Sequence, residues 1–334
     1  MRHFNIPFFI PEAACPHQCV FCNQRKISGM QQAPSPHEID ARVSLYLSTF
    51  PKKDRHIEIA FFGGNFTGLS FSEQEAYLAE THKWIKSGKV NGIRISTRPD
   101  YINPEVLSLL KKYNVCSIEL GAQSLDEEVL RLAGRGHSAK HVEEASEMIL
   151  DAGFALGLQM MTGLPGDTPE KTMYTARRIA QLGATETRIY PTLVISGTQL
   201  EQMYLQGKYM PLNLEETIER CKKLVLFFEE TNIKILRLGL HPSEGLTNGS
   251  ELVAGPFHPA LKEMVNTAIW KDVFRESVKN KKGKTLLLTV APKELNVAIG
   301  HQAANKKWLM KQFEKVMFST DEKLNGRAFD VDYC

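Results

Sequence analysis

The sequence predicts a parallel α/β fold in which six strands curve into a partial barrel. Apolar runs rich in β-branched and aromatic residues alternate six times with segments of helical periodicity. No hairpin signal separates any two of these runs. Strands that alternate with crossover helices form right-handed parallel βαβ units. Six such units in succession favour a curved partial barrel over a flat, doubly wound sheet.

The elements follow in order along the chain. The predicted strands span residues 4–10, 56–62, 93–97, 115–121, 155–161 and 186–194. The predicted helices span residues 36–50, 72–87, 104–113, 126–152 (as two helices), 168–183 and 214–231. Capping residues mark the helix starts: Ser35 stands before Pro36 and Glu38 in a capping-box pattern. Asn103 and Thr168 each precede a proline at the first helical position.

Length and charge divide the chain into a barrel and an extension. We expect the barrel over residues 1–240 and a small C-terminal extension over residues 241–334. Hydrophobic residues make up 43% and charged residues 24%, as in soluble globular proteins. No apolar run approaches the roughly eighteen residues of a membrane span, so we expect no membrane contact. Residues 271–334 carry thirteen Lys and Arg against eight Asp and Glu, a net +5 in a chain whose total is +3.

Three cysteines, Cys15, Cys19 and Cys22, lie directly after the first predicted strand. Three thiolates can hold three irons of a 4Fe–4S cluster and leave the fourth iron open to a small molecule. A structural zinc site that adds His17 is the alternative, although the loop would have to fold back sharply to present all four ligands. An odd, closely spaced set of cysteines without a secretory signal suits a reducing compartment, so we expect the cytoplasm.

Unusual residues also follow the other predicted strands. In parallel barrels, functional groups gather on the loops after the carboxyl ends of the strands. The loops after strands two to five carry Gly63-Gly64-Asn65, Ser96-Thr97-Arg98-Pro99-Asp100, Gly121-Ala122-Gln123-Ser124 and Gly163-Leu164-Pro165-Gly166-Asp167. Together with the cysteines, they predict one site at this end of the barrel.

These motifs resemble those of the radical SAM superfamily over about residues 4–240. The cysteine segment, with Phe21 before the last cysteine, is similar to the cluster loop, and Gly63-Gly64-Asn65 resembles the strand-two motif. Glu119–Ser124, Arg135-Gly136-His137 and Gly163–Asp167 resemble the branch that contains the radical SAM domain of the Elongator catalytic subunit and the oxygen-independent coproporphyrinogen oxidases. The resemblance implies a partial (βα)6 TIM-like radical SAM barrel.

The resemblance also implies cofactors and their ligands. Cys15, Cys19 and Cys22 would hold a 4Fe–4S cluster. S-adenosylmethionine (SAM) would contact Phe21, Gly63, Gly64, Asn65, Ser96, Arg98, Gln123, Arg135 and Gln159. Arg135 would lie near the SAM carboxylate, Ser96 beside the methionine end and Gln159 beside the ribose. Asn65 stands where many members carry an acidic residue.

The implied reaction is reductive cleavage of SAM to methionine and a 5′-deoxyadenosyl radical, which abstracts hydrogen from a substrate. A flavodoxin or ferredoxin would supply the electron. The Elongator-like barrel and the basic extension point to RNA as the substrate. A small molecule, tetrapyrrole-like or of another metabolite class, is the competing substrate, and a non-catalytic zinc-stabilised binding protein is the third hypothesis.

Neither relative's own activity is carried over. Only about ninety residues follow the barrel, which is short of the typical size of an acetyltransferase domain. Asn23 stands where the oxidases carry a further cysteine.

The extension predicts a small α/β unit. Strands are expected over residues 284–290, 315–320 and 327–333, and short helices over 293–297 and 304–313. The basic loop Gly300-His301-Gln302-Ala303 between the helices is loosely similar to the phosphate-clamping loop of KH-type RNA modules. The alternative is a cap over the open side of the barrel.

Other candidate residues have simpler interpretations. Cys116 and Cys221 are expected in the core, and the role of Cys334 is open. Arg188, Tyr190 and His241 fall near strand ends that face the active side.

Overall fold

The computed structural model describes residues 2–10, 15, 19–29, 32–279, 281 and 284–333, so that His17 and Cys334 lie outside the described residues. The chain forms two compact units. The first comprises residues 1–212 and 227–257, and the second comprises residues 213–226 and 258–334. The expected division at residue 240 and the role of the extension stay predictions.

The first unit is built on seven parallel strands that curl into a half-barrel. Their spatial order is β1 (Arg2–Ile10), β2 (Arg55–Gly63), β3 (Gly92–Thr97), β4 (Val115–Gln123), β5 (Ala155–Thr162), β6 (Glu186–Pro191) and β8 (Lys234–Leu238). The predicted fold class and all six predicted strands are therefore confirmed. β1 and β8 are the two edges of the sheet.

The seventh strand, β8, was not predicted. Its sequence, KILRL, carries two cations in five residues and gives no apolar run. The sixth strand ends at Pro191 rather than at residue 194. Val194 and Ile195 instead form β7 (Val194–Ile195), which pairs antiparallel with β9 (Leu252–Ala254).

Helices connect the strands, and three of them start at the predicted caps Ser35, Asn103 and Thr168. They are α1 (Gln24–Ser28), α2 (Pro36–Thr49), α3 (Phe71–Lys86), α4 (Pro104–Lys112), α5 (Glu127–Leu132), α6 (Ala139–Asp151), α7 (Pro169–Gln181), α8 (Gln199–Leu205), α9 (Leu214–Glu230) and α10 (Glu244–Thr247). The Glu38 carboxylate accepts from the Ser35 backbone N–H at 2.7 Å. Asn103 Oδ1 accepts from the Val106 N–H at 2.9 Å. No helix in the described part of the chain is long and apolar enough to cross a membrane.

The second unit contains the predicted small α/β extension. It comprises α11 (Leu261–Val278), β10 (Thr285–Val290), α12 (Leu295–Ile299), α13 (Ala304–Leu309), β11 (Lys315–Thr320) and β12 (Phe329–Tyr333). β10 is central, with β11 parallel on one side and β12 antiparallel on the other. Trp270 and Phe274 of α11 are buried against this sheet. α11 was not predicted, because its apolar residues do not follow one helical stripe.

The two faces of the half-barrel sheet differ in chemistry. On β2, Ile57, Ile59 and Phe61 are buried in an apolar core, as expected for a face covered by helices. The alternate residues face the inside of the curve, where buried ionic side chains meet. Arg94 on β3 donates from Nε to Glu58 on β2 at 2.8 Å and from Nη1 to Glu119 on β4 at 2.8 Å. Its Nη1 also lies 2.9 Å from Glu186 on β6.

Replacing Arg94 with methionine is expected to destabilise the protein by about 3–5 kcal/mol, because buried carboxylates lose their counter-charge. Urea unfolding of the protein without cofactors measures this loss. Lys83→Met is the matched control, since it removes an exposed pairing with Asp40 and Glu80 and is expected to cost less than about 1 kcal/mol. Equal losses in the two variants would show that the Arg94 cluster is energetically unimportant.

Candidate active site

A cavity of about 740 Å³ lies within the first unit, inside the curve of the sheet. Ten of the twelve predicted site residues line it: Cys15, Cys19, Phe21, Cys22, Gly63, Gly64, Ser96, Gln123, Arg135 and Gln159. The two that do not are Asn65 and Arg98. The structure thus brings together residues that lie far apart in the sequence, on loops after the first five strands.

The Cys loop (residues 15–22, of which the structure describes 15 and 19–22) is fixed by the barrel through backbone hydrogen bonds. The Val20 N–H donates to the Ala133 carbonyl at 3.1 Å, and the Leu200 N–H donates to the Val20 carbonyl at 2.7 Å. Val20 and Phe21 are buried in a cluster that includes Val129, Leu164, Val194 and Tyr209. The loop is therefore held by elements that follow it by more than one hundred residues.

Arg135 connects the Cys loop to the end of β4. Its Nη1 donates to Cys19 Sγ at 3.2 Å, and its Nη2 donates to the Gly121 carbonyl at 2.5 Å. Its Nε donates to His137 Nε2 at 3.1 Å. This contact places a guanidinium charge directly beside the sulfur of a candidate cluster ligand. Each Nη retains one further N–H.

His137 is a neutral acceptor in this arrangement. Burial and the nearby Arg135 charge lower its pKa to about 3. Because Nε2 accepts from Arg135, the ring proton is assigned to Nδ1, which lies 3.2 Å from the Ser138 carbonyl. A neutral ring can orient Arg135 without adding a second positive charge.

Two glycines allow the β2 loop to pass close to the Cys loop. Gly63 has φ +119°, and a Cβ there would lie 2.3 Å from the Ile10 carbonyl oxygen. A Cβ on Gly64 would lie 2.9 Å from Cys15 Sγ. Side chains at these positions would displace the backbone of β1 or the sulfur, so the site requires glycine.

The ends of β4 and β5 contribute two amides. Gln123 has φ +65°, beside an irregularity in the pairing of β4 with β5. Its Oε1 accepts from Gln159 Nε2 at 3.1 Å. The pair presents polar groups to the cavity at fixed positions, and Ser96 on β3 lines the same space.

Asn65 and Arg98 lie behind the cavity wall. Asn65 Oδ1 accepts from Thr97 Oγ1 at 2.7 Å and from the Arg98 N–H at 3.3 Å, so it fastens the β2 loop to the end of β3. Arg98 donates from Nε and Nη2 to Asp100 and from Nη2 to the Arg135 carbonyl, each at 2.9 Å. Its Nη1 is buried and has no hydrogen-bond partner among the described residues.

The side of the cavity formed by β6 and β8 is cationic. Arg188 donates through Nε and Nη2 to the Glu119 carboxylate, and its guanidinium lies over the Phe62 ring at 4.7 Å. Arg237 donates to the backbone carbonyls of Gly239 at 3.0 Å and Leu240 at 3.3 Å. Within the described residues no carboxylate pairs with Arg237, and burial together with the Arg188 charge lowers its pKa.

Sequence reasoning missed Arg237 as a site residue, because β8 was not recognised as a strand. Arg188, Tyr190 and His241, noted only as facing the active side, do line the cavity. The alternation of side chains along β6 was the signal that could have identified Arg188 and Tyr190 as site residues, because they are two residues apart and therefore share a face of the strand.

The described cysteines form no disulfide with one another. Burial raises the pKa of both Cys116 and Cys221 to about 12, so these thiols stay protonated. Among the described residues, only His3, His56 and Glu58 form a set of three His, Cys, Asp or Glu ligand atoms within 4.8 Å of one another. The sulfurs of Cys15, Cys19 and Cys22 are therefore more widely spaced than ligands of a single zinc ion.

Comparison with known families identifies the class. The model of the radical SAM superfamily matches residues 10–179, and that of the Radical_SAM C-terminal domain matches residues 185–271. The chain belongs to the radical SAM superfamily. It is accordingly a radical SAM enzyme, whose cofactors are a 4Fe–4S cluster and SAM.

Individual relatives place the chain near Elongator-type proteins. A tRNA uridine(34) acetyltransferase of Methanocaldococcus infernus is 26% identical over 246 residues, which cover 62% of this chain and 46% of that protein. Elongator complex protein 3 of Schizosaccharomyces pombe is 30% identical over 192 residues, which cover 51% of this chain and 35% of that protein. The chain thus spans half or less of the length of these two relatives.

The fold is shared with a solved structure. That of the archaeal Methanocaldococcus infernus Elp3, with its N-terminus (1–46) deleted, superposes with a TM-score of 0.64 at 22% identity. The match covers 82% of this chain and 64% of that chain.

The residues present suit these cofactors. Three cysteine sulfurs line one end of the cavity, and they are too widely spaced to bind a single metal ion. A 4Fe–4S cluster requires such spacing, because each of its cysteine ligands binds a different iron. Among the described residues, the buried Arg98 Nη1 is a donor without an acceptor, and Arg98 lies within electrostatic range of Cys15 and Cys19. An anionic sulfur cluster would supply such an acceptor.

The neutral state of His137 predicts a specific pH dependence of stability. The pKa of His137 in the folded protein is about 3, below the ordinary 6.5. As the pH falls below 6.5, the unfolded state therefore binds a proton at His137 that the folded state does not bind. Acidification from pH 7.5 to 5 is therefore expected to remove about 2 kcal/mol of stability through this residue.

Urea unfolding of the cofactor-free protein at both pH values measures the loss. His137→Gln keeps an acceptor for Arg135, and on acidification its free energy of unfolding should fall by about 2 kcal/mol less than that of the wild type. His37→Gln, at an exposed position on α2, is the control and should behave as the wild type does. A wild-type pH dependence in His137→Gln would contradict the assignment.

Proposed function

We propose that this protein is a radical SAM enzyme that modifies RNA, with tRNA the favoured substrate. The observation that carries the proposal is the single cavity that joins the Cys loop to an open cationic wall. Similarity to proteins named tRNA uridine(34) acetyltransferase and Elongator complex protein 3 supports tRNA as the substrate class.

The cluster ligands in this proposal are Cys15, Cys19 and Cys22. The Arg135 guanidinium donates to Cys19 Sγ at 3.2 Å, and the buried Arg98 places a second positive charge near the loop. Both cations compensate the negative charge of three thiolates in a largely buried setting. Because Ala133 and Leu200 hold Val20, the described segment that carries Cys19 and Cys22 is positioned by the barrel.

SAM would occupy the cavity beside the Cys loop. Its lining there consists of Phe21, Gly63, Gly64, Ser96, Gln123, Arg135 and Gln159. The remaining N–H groups of Arg135 can donate to the SAM carboxylate, and the Gln123–Gln159 pair can hydrogen-bond the ribose. Asn65 acts in this proposal as a positioning residue, because its side chain is engaged with Thr97 and the Arg98 backbone.

When bound, the cluster and SAM supply a carbon-centred radical that can take a hydrogen atom from the substrate. The chain's own task is to hold the reacting groups in position and to exclude water. Arg188 and Arg237, with Tyr190 and His241, line the part of the cavity left for the substrate. Because no carboxylate in the described part of the chain pairs with Arg237, this wall favours an anionic or oxygen-rich substrate group.

A one-electron donor of the flavodoxin or ferredoxin type would reduce the cluster. The cytoplasm is the proposed location, because reduced cysteines and an oxygen-sensitive cluster require a reducing environment.

The second unit would contact RNA. The loop between α12 and α13 contains Gly300, whose added Cβ would lie 2.8 Å from Thr267 Cγ2, and two left-handed residues, Gln302 and Ala303. Lys307 and Lys311 follow it and are exposed. Exposed lysines close to a tight inter-helix loop suit phosphate contacts.

The cluster assignment is tested by anaerobic reconstitution with iron and sulfide, reduction with dithionite, and chromatography for 5′-deoxyadenosine after SAM is added. The wild type should bind about four irons and form 5′-deoxyadenosine. Cys19→Ala should lose both properties, because one iron loses its ligand. Cys116→Ala is the matched control and should retain them. A wild type that binds zinc instead of iron would overturn the proposal.

The RNA assignment is tested by titrating tRNA at several salt concentrations. Charge reversal at Lys307 and Lys311 should weaken binding roughly tenfold and reduce the slope of log K against log salt by about 2, because two phosphate contacts are lost. Lys52→Glu with Lys53→Glu, an exposed pair in the first unit, is the control and should leave the slope unchanged.

Two results would contradict the RNA assignment. One is binding of tRNA no tighter than that of a polyanion such as heparin. The other is a product formed equally well without RNA, which would support the small-molecule alternative.

A further inference from the structure

A second group of metal-ligating side chains lies at the opposite end of the strands from the Cys loop. His3 on β1 and His56 on β2 are register partners in the sheet. Glu58 follows two residues after His56 and therefore shares its face. The group is about 20 Å from Ile10, the last residue of β1 before the Cys loop, since a strand rises about 3.3 Å per residue.

The three side chains converge on one point. His3 Nε2 lies 2.9 Å from Glu58 Oε2, and His56 Nε2 lies 3.2 Å from Glu58 Oε1. The imidazole rings meet edge-on with their centroids 4.7 Å apart. Two ligand atoms bound to one tetrahedral zinc at about 2.0–2.1 Å are roughly 3.3 Å apart. The two nitrogen–oxygen distances, each to a different oxygen of Glu58, are close to this value, and one ligand atom from each of the three side chains lies within 4.8 Å of the other two.

The donor set and its accessibility also suit a metal ion. Two imidazoles and one carboxylate form a known zinc ligand set that leaves a fourth position open. Burial raises the pKa of Glu58, but the Arg94 charge and the surrounding hydrogen bonds lower it to about 2, so the carboxylate is ionised at neutral pH. The imidazoles are 33% and 31% exposed, which gives an ion a path to the site.

The surrounding charges can accommodate a cation. Arg94 pairs with Glu58, but it also pairs with Glu119 and Glu186. It therefore keeps two carboxylates if Glu58 turns to a metal. With Arg188 and Lys234 included, the cluster holds three carboxylates and three cationic side chains and is neutral overall, with Lys234 exposed at its edge. The positive charge of a divalent metal ion is compensated better beside this cluster than it would be beside Arg94 alone.

We propose that His3, His56 and Glu58 bind a divalent transition metal, best matched by zinc, at the amino-terminal end of β1 and β2. The ion would join the edge strand β1 to its single neighbour and so fix the strand that leads into the Cys loop. Cys116 Sγ donates to Glu58 Oε1 at 3.4 Å and to the Ile93 carbonyl at 3.1 Å, and the proposed ligand atoms are the two imidazole nitrogens and one carboxylate oxygen.

The test uses the full chain with Cys15, Cys19 and Cys22 all changed to serine, so that the Cys loop cannot bind the metal. Co²⁺ is the probe, because its visible absorption reports coordination by few ligands and its near-ultraviolet absorption reports bound thiolate. One equivalent should bind with visible bands and without a thiolate band, and Zn²⁺ should displace it. A thiolate band or the absence of saturable visible bands would overturn the proposal.

A ligand variant distinguishes the site from a hydrogen-bonded cluster. Adding His56→Gln, which can still donate to Glu58, should weaken Co²⁺ and Zn²⁺ binding at least about 100-fold. It should also abolish the Zn²⁺-dependent rise in Tm that ligand binding produces. His37→Gln in the same background should leave both unchanged. Equal metal binding by the two variants would refute the assignment whether or not the Cys loop binds a cluster.

Discussion

The buried guanidinium of Arg94 is the interaction on which the half-barrel depends. A parallel sheet covered by helices on one face usually fills its other face with apolar side chains. Here, β3 instead presents one cation to carboxylates from β2, β4 and β6. Such a cluster is stable only while each member keeps its partners, because an unpaired buried charge is costly. The curvature that brings these strands together is therefore coupled to the ion pairs inside it.

The same cluster determines what the cavity can hold. Glu119 is shared between Arg94 and Arg188, so the position of Arg188 depends on a contact made deeper in the barrel. Arg188 in turn lies over Phe62. On the same wall, Arg237 has no carboxylate partner within the described residues, so one guanidinium of this wall is neutralised by Glu119 and the other is not.

Much of the architecture could be predicted from local signals. Apolar β-branched runs placed six strands, and Ser35, Asn103 and Thr168 placed helix starts, because these features act over a few residues. β8 and α11 were missed for a tertiary reason. β8 contains Lys234 and Arg237, and it is a strand because it pairs with β6. α11 buries residues on several sides and therefore lacks the single apolar stripe that sequence patterns detect.

The site was predictable as a set of loops but not as a set of contacts. The rule that chemistry gathers after parallel strands brought Cys15, Gly64, Ser96 and Gln123 to one place. It could not show that Arg135 donates to Cys19 or that Asn65 faces away from the cavity. Those outcomes depend on side-chain directions, which are decided by packing among residues that are distant in the sequence.

The attachment of the Cys loop has a consequence for how the protein is made. The loop is synthesised before its backbone partners, Ala133 and Leu200, which follow it by more than one hundred residues. At about 5–20 residues per second, the ribosome needs on the order of ten seconds or more to deliver them. During that interval the cysteines have no scaffold. The segment that carries Cys19 and Cys22 is therefore positioned only after the ribosome has delivered the later part of the barrel, and a chain that stops before Leu200 lacks one of the two contacts that hold it.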